Sequence, residues 1–215
     1  MNCHNIVLNY IKNCKKNEPI FIEDIKAYIM QFYEDVEKEK VYNNLKEILN
    51  RLNKKNIIKK AYKGVYYIPE HNIFGEMPLS NNKIIQYKYL IDKNNNIKGY
   101  VTGAKLFNTL GLTTQVPNII DIVTNECINN NKYANKYLNV IIRKPKIKIT
   151  NENYKYLQLI DLIENKDNIY VEIENTDEII YDFILENNLN FEKILKYARE
   201  TNSKKVIEKV VTLAR

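Results

Sequence analysis

Apolar side chains recur at helical spacing along the first fifty residues. Ile6, Val7, Tyr10, Ile11 and Cys14 form one face of a helix expected over about Asn5–Lys16. Asn17-Glu18-Pro19 ends it, because proline removes a backbone donor and clashes with the preceding turn. Ile20-Phe21-Ile22 reads as a short extended piece, and a second helix turns Ile25, Ile29 and Phe32 or Tyr33 inward. An acidic stretch from Glu34-Asp35 through Glu37 and Glu39 opens a third helix, where carboxylates favour the positive end of the helix dipole. Val41, Leu45, Ile48, Leu49 and Leu52 then give the cleanest amphipathic stripe in the chain, closed by Lys54-Lys55-Asn56. The runs Ile57–Lys60 and Val65–Ile68 flank a turn containing Gly64, which predicts a hairpin. Three helices followed by a hairpin predict a winged helix-turn-helix over residues 1–70.

Glu70–Ser80 has Gly75 and Pro78 but no sustained period, and reads as a linker. A second domain, placed at residues 76–215, alternates its signals. A helix is expected around Ile84, Ile85, Tyr89 and Leu90, a loop at Asp92–Asn96, and a short helix around Ala104–Leu110 after Gly99–Gly103. Ile119–Thr124, Leu138–Ile142 and Lys146–Ile149 read as strands. Asn151–Glu164, Asp177–Glu186, Phe191–Arg199 and Ser203–Ala214 read as helices. The fold class expected is α+β: an N-terminal winged helix-turn-helix and a mixed α/β C-terminal domain with terminal helices.

Charge adds a direction to this picture. The 215 residues carry a formal charge of +7, which favours polyanionic partners without fixing a fold. No apolar run approaches the ~20 residues of a membrane helix, and Met1-Asn2-Cys3-His4 does not open like a signal peptide. Cys3, Cys14 and Cys127 are odd in number and scattered, which fits a reducing, cytoplasmic setting and not zinc-ligand spacing. No metal or other cofactor is expected.

A winged helix lays its third helix in the major groove and its hairpin against the backbone. The residues facing away from the Val41/Leu45/Ile48/Leu52 stripe are then the contact set: Lys40, Asn43, Asn44 and Lys46, with Glu47 beside them and Tyr42 on the flank. Asparagine pairs bidentately with adenine, and lysine reaches guanine or phosphate. Lys60 and Lys63 on the hairpin are the phosphate candidates, in a stretch where seven cations, Lys46 to Lys63, face only Glu47. A solvated charged face, or a winged-helix adaptor that binds protein without specific DNA binding, is the competing reading. The acidic opening of the third helix also argues against close phosphate approach there.

The second domain has its own basic run: Lys132, Lys136, Arg143, Lys144, Lys146 and Lys148, interleaved with Tyr133 and Tyr137. It reads equally as a second anion-binding surface or as a strand edge guarded by lysines. Gly111–Pro117 places Thr113, Thr114 and Gln115 just past a helix end, where side chains commonly satisfy a turn. Enzyme chemistry is not expected. His4 and His71, the two histidines, lie near the terminus and in the expected linker, and no phosphate-cradling glycine motif is present. Asp121 and Glu126 are the acids a metal nuclease would call on.

The ordered set Lys63-Gly64-Val65-Tyr66-Tyr67-Ile68-Pro69, Phe74-Gly75-Glu76, Gly99-Tyr100-Val101-Thr102-Gly103 and Gly111 to Pro117 resembles the AbiEi-type antitoxin family of abortive-infection systems. Asn153-Tyr154, Leu157-Gln158 and Asp161 continue the likeness, which runs from the hairpin to the helix after Asn151. The resemblance implies a winged helix that binds repeats in its own promoter and represses the operon. It also implies a C-terminal domain that neutralises a nucleotidyltransferase-like toxin, in a type IV pairing that needs no stable complex. It carries over no catalytic residues. The partners expected are promoter DNA and that toxin, with no membrane. A homodimer on paired half-sites is compatible with this reading.

Overall fold

A computed structural model of the chain describes residues 2–33, 38–127, 132–169 and 176–213. It is a mixed α/β protein that divides into two compact units, Met1–Ile84 and Ile85–Arg215. Among the described residues, no helix is long and apolar enough to cross a membrane.

The first unit opens with α1 (Cys3–Lys12), capped by the Asn2 side chain, which accepts a hydrogen bond from the His4 N–H. Strand β1 (Ile20–Phe21) follows, and Ile22 begins α2 (Ile22–Ile29), so the expected extended piece is two residues long. Tyr33 packs on the core while Phe32 is 48% exposed. Glu34, Asp35 and Glu37 of the expected acidic opening lie outside the described residues. Helix α3 (Lys38–Lys54) buries Val41, Leu45, Ile48, Leu49 and Leu52, the whole predicted stripe, against Ile6, Val7 and Ile11 of α1 and Ile25 and Ile29 of α2.

Strands β2 (Lys59–Tyr62) and β3 (Val65–Tyr67) form the expected hairpin, and β1 joins it in a sheet ordered β1-β3-β2. All pairings are antiparallel, with a bulge between Lys60 and Tyr62. Gly64 sits in the turn at φ 76°, where a side chain would be strained, and its carbonyl accepts the Ile22 N–H. The segment read as a linker holds a two-stranded ribbon, β4 (Glu70–Asn72) and β5 (Gly75–Met77). Its turn is fixed by the Asn72 side chain, which accepts the Phe74 N–H at 2.8 Å. Short α4 (Asn81–Ile85) contains the division between the units.

The second unit begins with a π-helical turn, Gln86–Leu90, which buries Tyr89. Its sheet has the order β6-β7-β9-β8, from β6 (Gly99–Thr102), β7 (Ile120–Thr124), β8 (Tyr133–Asn135) and β9 (Val140–Arg143). Strands β7 and β9 are parallel and the outer pairs antiparallel. A Cβ on Gly99 would stand 2.1 Å from the Tyr89 carbonyl oxygen, so only glycine lets β6 pass the π turn. Helix α5 (Gly103–Thr109) follows β6 directly. The helices α6 (Tyr154–Asn165), α7 (Thr176–Glu186), α8 (Phe191–Glu200) and α9 (Lys204–Leu213) complete the unit. Their core joins Tyr100, Phe107 and Leu112 to Leu159, Ile160, Phe183, Ile194 and Val206.

Lys146–Ile149 is not a strand. It stands outside the sheet, whose order is β6-β7-β9-β8. The Asn125 side chain takes the place of a ladder there: its amide donates to the Ile149 carbonyl and its oxygen accepts the Ile149 N–H, each at 2.9 Å. In the Gly111–Pro117 turn, Thr113 is buried and its hydroxyl accepts the Gln115 N–H at 3.2 Å, so the side chain satisfies the backbone.

Candidate functional site

Two groups of charged side chains stand out, one in each unit. In the first unit, Lys40, Asn43, Asn44 and Lys46 are all exposed along α3, as is Glu47. Tyr42 is half-buried between cations: the Lys46 ammonium lies 4.2 Å from its ring centroid and the Lys26 ammonium 4.8 Å. Such stacking holds long lysine stems along the helix surface while leaving the charge wet. Lys60 on β2 and Lys63 in the hairpin turn are exposed. The Asn53 side chain accepts the Lys60 N–H at 3.1 Å and so ties the end of α3 to the hairpin. Lys40, Arg51, Lys54, Lys55, Lys60 and Lys63 have no carboxylate in ion-pair reach among the described residues. Lys59 differs, pairing with Glu76 at 3.6 Å.

In the second unit, the six expected cations do not form one outward set. Lys132, Lys136, Lys144 and Lys148 are exposed. Arg143 instead turns inward to Asp161, and Lys146, though exposed, donates to the Thr201 carbonyl at 3.0 Å and pairs with Glu164 at 3.5 Å. Tyr100 donates its hydroxyl hydrogen bond to the same Asp161 carboxylate at 2.9 Å. The physical reason is burial: Asp161 is 6% exposed on the apolar face of α6, and a buried carboxylate requires donors. Burial opposes the Arg143 charge, but the adjacent Asp161 outweighs it and holds the guanidinium above its usual range. Burial, then Asp161, pushes the Tyr100 hydroxyl well up. Together these bonds pin α6 to β6 and β9.

Asp121 and Glu126 are not brought together with other acids. Asp121 lies on β7, where burial raises its carboxyl against the pull of Lys132 and Arg143. Glu126 pairs with Lys98 at 3.2 Å. No group of three or more His, Cys, Asp or Glu residues disposed to hold a metal occurs among the described residues.

Two features escaped sequence reasoning. The partner of Arg143 was one; its signal is an acid, Asp161, set between Leu157, Ile160 and Leu162 on a helix that buries all of them. The ribbon tip was the other, where Ile73 and Phe74 are 92% and 91% exposed.

The fold thus defines a mixed α/β chain with a cation-rich helical unit and an internally ion-paired second unit. Residues 7–180 match a family model described as a family of unknown function, DUF6088, and the chain belongs to that family. Comparison with curated proteins finds no match.

Proposed function

We propose that this protein is a DNA-binding transcriptional autorepressor whose first unit is a winged helix-turn-helix, and that its second unit serves as the antitoxin against a nucleotidyltransferase-like toxin. One observation carries the DNA-binding part. The outward face of α3 and the hairpin after it hold Lys40, Lys60 and Lys63 without acid partners among the described residues, and Asn43 and Asn44 stand exposed between them. Cations left unpaired by the fold are the ones that release counterions from a nucleic acid. Asn43 and Asn44 supply the donor and acceptor pair that base edges require. The wing of this reading is β2–β3, and the antitoxin part rests on the family resemblance described above.

The test is an electrophoretic shift of the full chain on its own upstream DNA against scrambled DNA over a salt series. Preference for upstream DNA near physiological salt is the expected result. Equal binding to both, or none, favours a protein-binding adaptor, to which the bare Ile73–Phe74 tip is suited. Co-expression with the neighbouring gene product tests the antitoxin role: growth restored by the second unit is expected, and unrelieved toxicity overturns it.

A further inference from the structure

A cleft in the first unit lies between the start of α1 and the C-terminal half of α3. Asn2, the cap of α1, and His4 line it on one side; Asn44 and Arg51 of α3 and Lys55 in the turn after it line the other, over an apolar floor that includes Ile48. Spacing on α3 explains the grouping, because residues 44, 48, 51 and 55 fall on one helical face. Among the described residues that line it, every polar side chain is neutral or cationic. Arg51 and Lys55 are exposed and have no carboxylate partner among the described residues. The His4 Nδ1 is shielded from solvent and has no hydrogen-bond partner among the described residues. The helix end is not what makes the site. The His4 N–H is already taken by Asn2 Oδ1, and the Asn5 and Ile6 N–H groups by the Asn2 carbonyl. What lines the opening for a ligand is the Arg51 guanidinium, the Lys55 ammonium and the amides of Asn2 and Asn44, with the His4 ring beside them.

We infer that this cleft is a phosphate-binding seat. Guanidinium is the side chain best matched to phosphate, through paired N–H donors, and ammonium adds a point charge beside it. The side-chain amides of Asn2 and Asn44 supply further N–H donors at the same opening. The ligand is either a backbone phosphate of bound DNA or the phosphate of a small molecule. In the first case the inference rests on the DNA-binding reading and extends its surface from the outer face of α3 to the start of α1. None of the residues Asn2, His4, Arg51 and Lys55 belongs to the contact set expected from the sequence.

The full-length protein and its Arg51→Gln/Lys55→Gln variant would be compared in two arms. In the first, amide and arginine side-chain resonances are followed by NMR during titration with inorganic phosphate and with a nucleoside monophosphate, with sodium chloride at equal ionic strength as control. Saturable shifts centred on His4, Asn44, Arg51 and Lys55, lost in the variant, are expected. In the second, the salt dependence of binding to upstream and scrambled DNA is measured. The variant should lose affinity evenly on both, with the slope of log K against log salt reduced by about 1 to 2. A melting curve and an amide spectrum matching the parent's elsewhere show that the variant folds, and Arg51→Lys should restore part of the slope. Upstream binding with an unchanged slope and no phosphate shifts overturns the seat while the DNA reading stands. Phosphate shifts without DNA binding by the parent keep the seat, assign it to a small phosphorylated ligand and overturn the DNA reading.

Discussion

The two basic regions look alike as strings of lysines and differ in how many of their cations the fold pairs with acids. From Lys40 to Lys63, seven cations on α3, the turn after it and the hairpin have no acid in ion-pair reach among the described residues, and Lys59 alone of that stretch pairs, with Glu76. From Lys132 to Lys148, Arg143 and Lys146 are drawn to Asp161 and Glu164. Farther along that unit, Lys166 and Lys209 pair with Asp177, and Lys205 with Asp167. The difference teaches that a basic run specifies a surface only when the rest of the chain withholds carboxylates from it. Cations already paired have given up much of the long-range field that attracts a polyanion. In the second unit, then, Arg143 and Lys146 work as internal structure while Lys132, Lys136, Lys144 and Lys148 stay exposed, and in the first most of the cations face outward.

The sharpest way to break this comparison is Asp161→Ala. It leaves the Arg143 guanidinium partly buried without its counter-charge and the Tyr100 hydroxyl without its acceptor. Removing one member of a buried pair costs about 3 kcal/mol, read as a lower urea midpoint for the second unit. A loss under about 1 kcal/mol would mean that the pair is solvated and that the contrast between the regions is false. The next effect concerns the first unit and leaves stability alone. Asn43→Ala should cost about 1–3 kcal/mol on upstream DNA and little on scrambled DNA. Lys63→Ala should weaken both evenly and lower the salt slope by about 1, whereas Lys148→Ala in the other basic region should leave the slope unchanged. An equal drop from Lys63→Ala and Lys148→Ala would erase the distinction.

What could be read in the sequence follows from how local each signal is. The α3 stripe was legible because burial on one helical face needs only i, i+4 spacing, and all five residues are buried. The hairpin was legible because a glycine turn between β-branched and aromatic runs is a local event. The ribbon β4–β5 was not: Glu70-His71-Asn72 has no alternation, and its strands pair mainly through their backbones. Strand β8 is three residues long and polar at its buried position, Asn135, so nothing in Tyr133–Asn135 announces it. Lys146–Ile149 gave the opposite error. Its alternation is real, with Ile149 buried and Ile147 partly so, but the Asn125 side chain takes both backbone groups of Ile149, a long-range bond that no local pattern announces. The candidate groove residues were legible as the complement of the stripe. The cleft at Arg51 and Lys55 was not, because it depends on where α1 lies against α3.

The smallest expected effect tests whether paired acids in the second unit stabilise it as the comparison requires. Asp177 accepts a hydrogen bond from Lys209 and also lies beside Lys166, which hold its carboxyl below the usual range. Its contribution is therefore full above the unfolded value of about 3.9 and is lost as pH falls through the folded value. Asp121 has the opposite sign. Burial raises its carboxyl, so its contribution is full below about 3.9 and is lost as pH rises through the folded value. Urea midpoints measured at closely spaced pH values should then separate the two. Asp177→Asn flattens the acid limb below about pH 4, and Asp121→Asn removes a decline that begins above about pH 4. The Asp177 effect is small, because its side chain is 53% exposed, and it shrinks further in high salt. If Asp177→Asn left the acid limb untouched while Asp121→Asn still acted, burial alone would order this unit's charges. Its surface lysines would then be as available to an anion as those of α3.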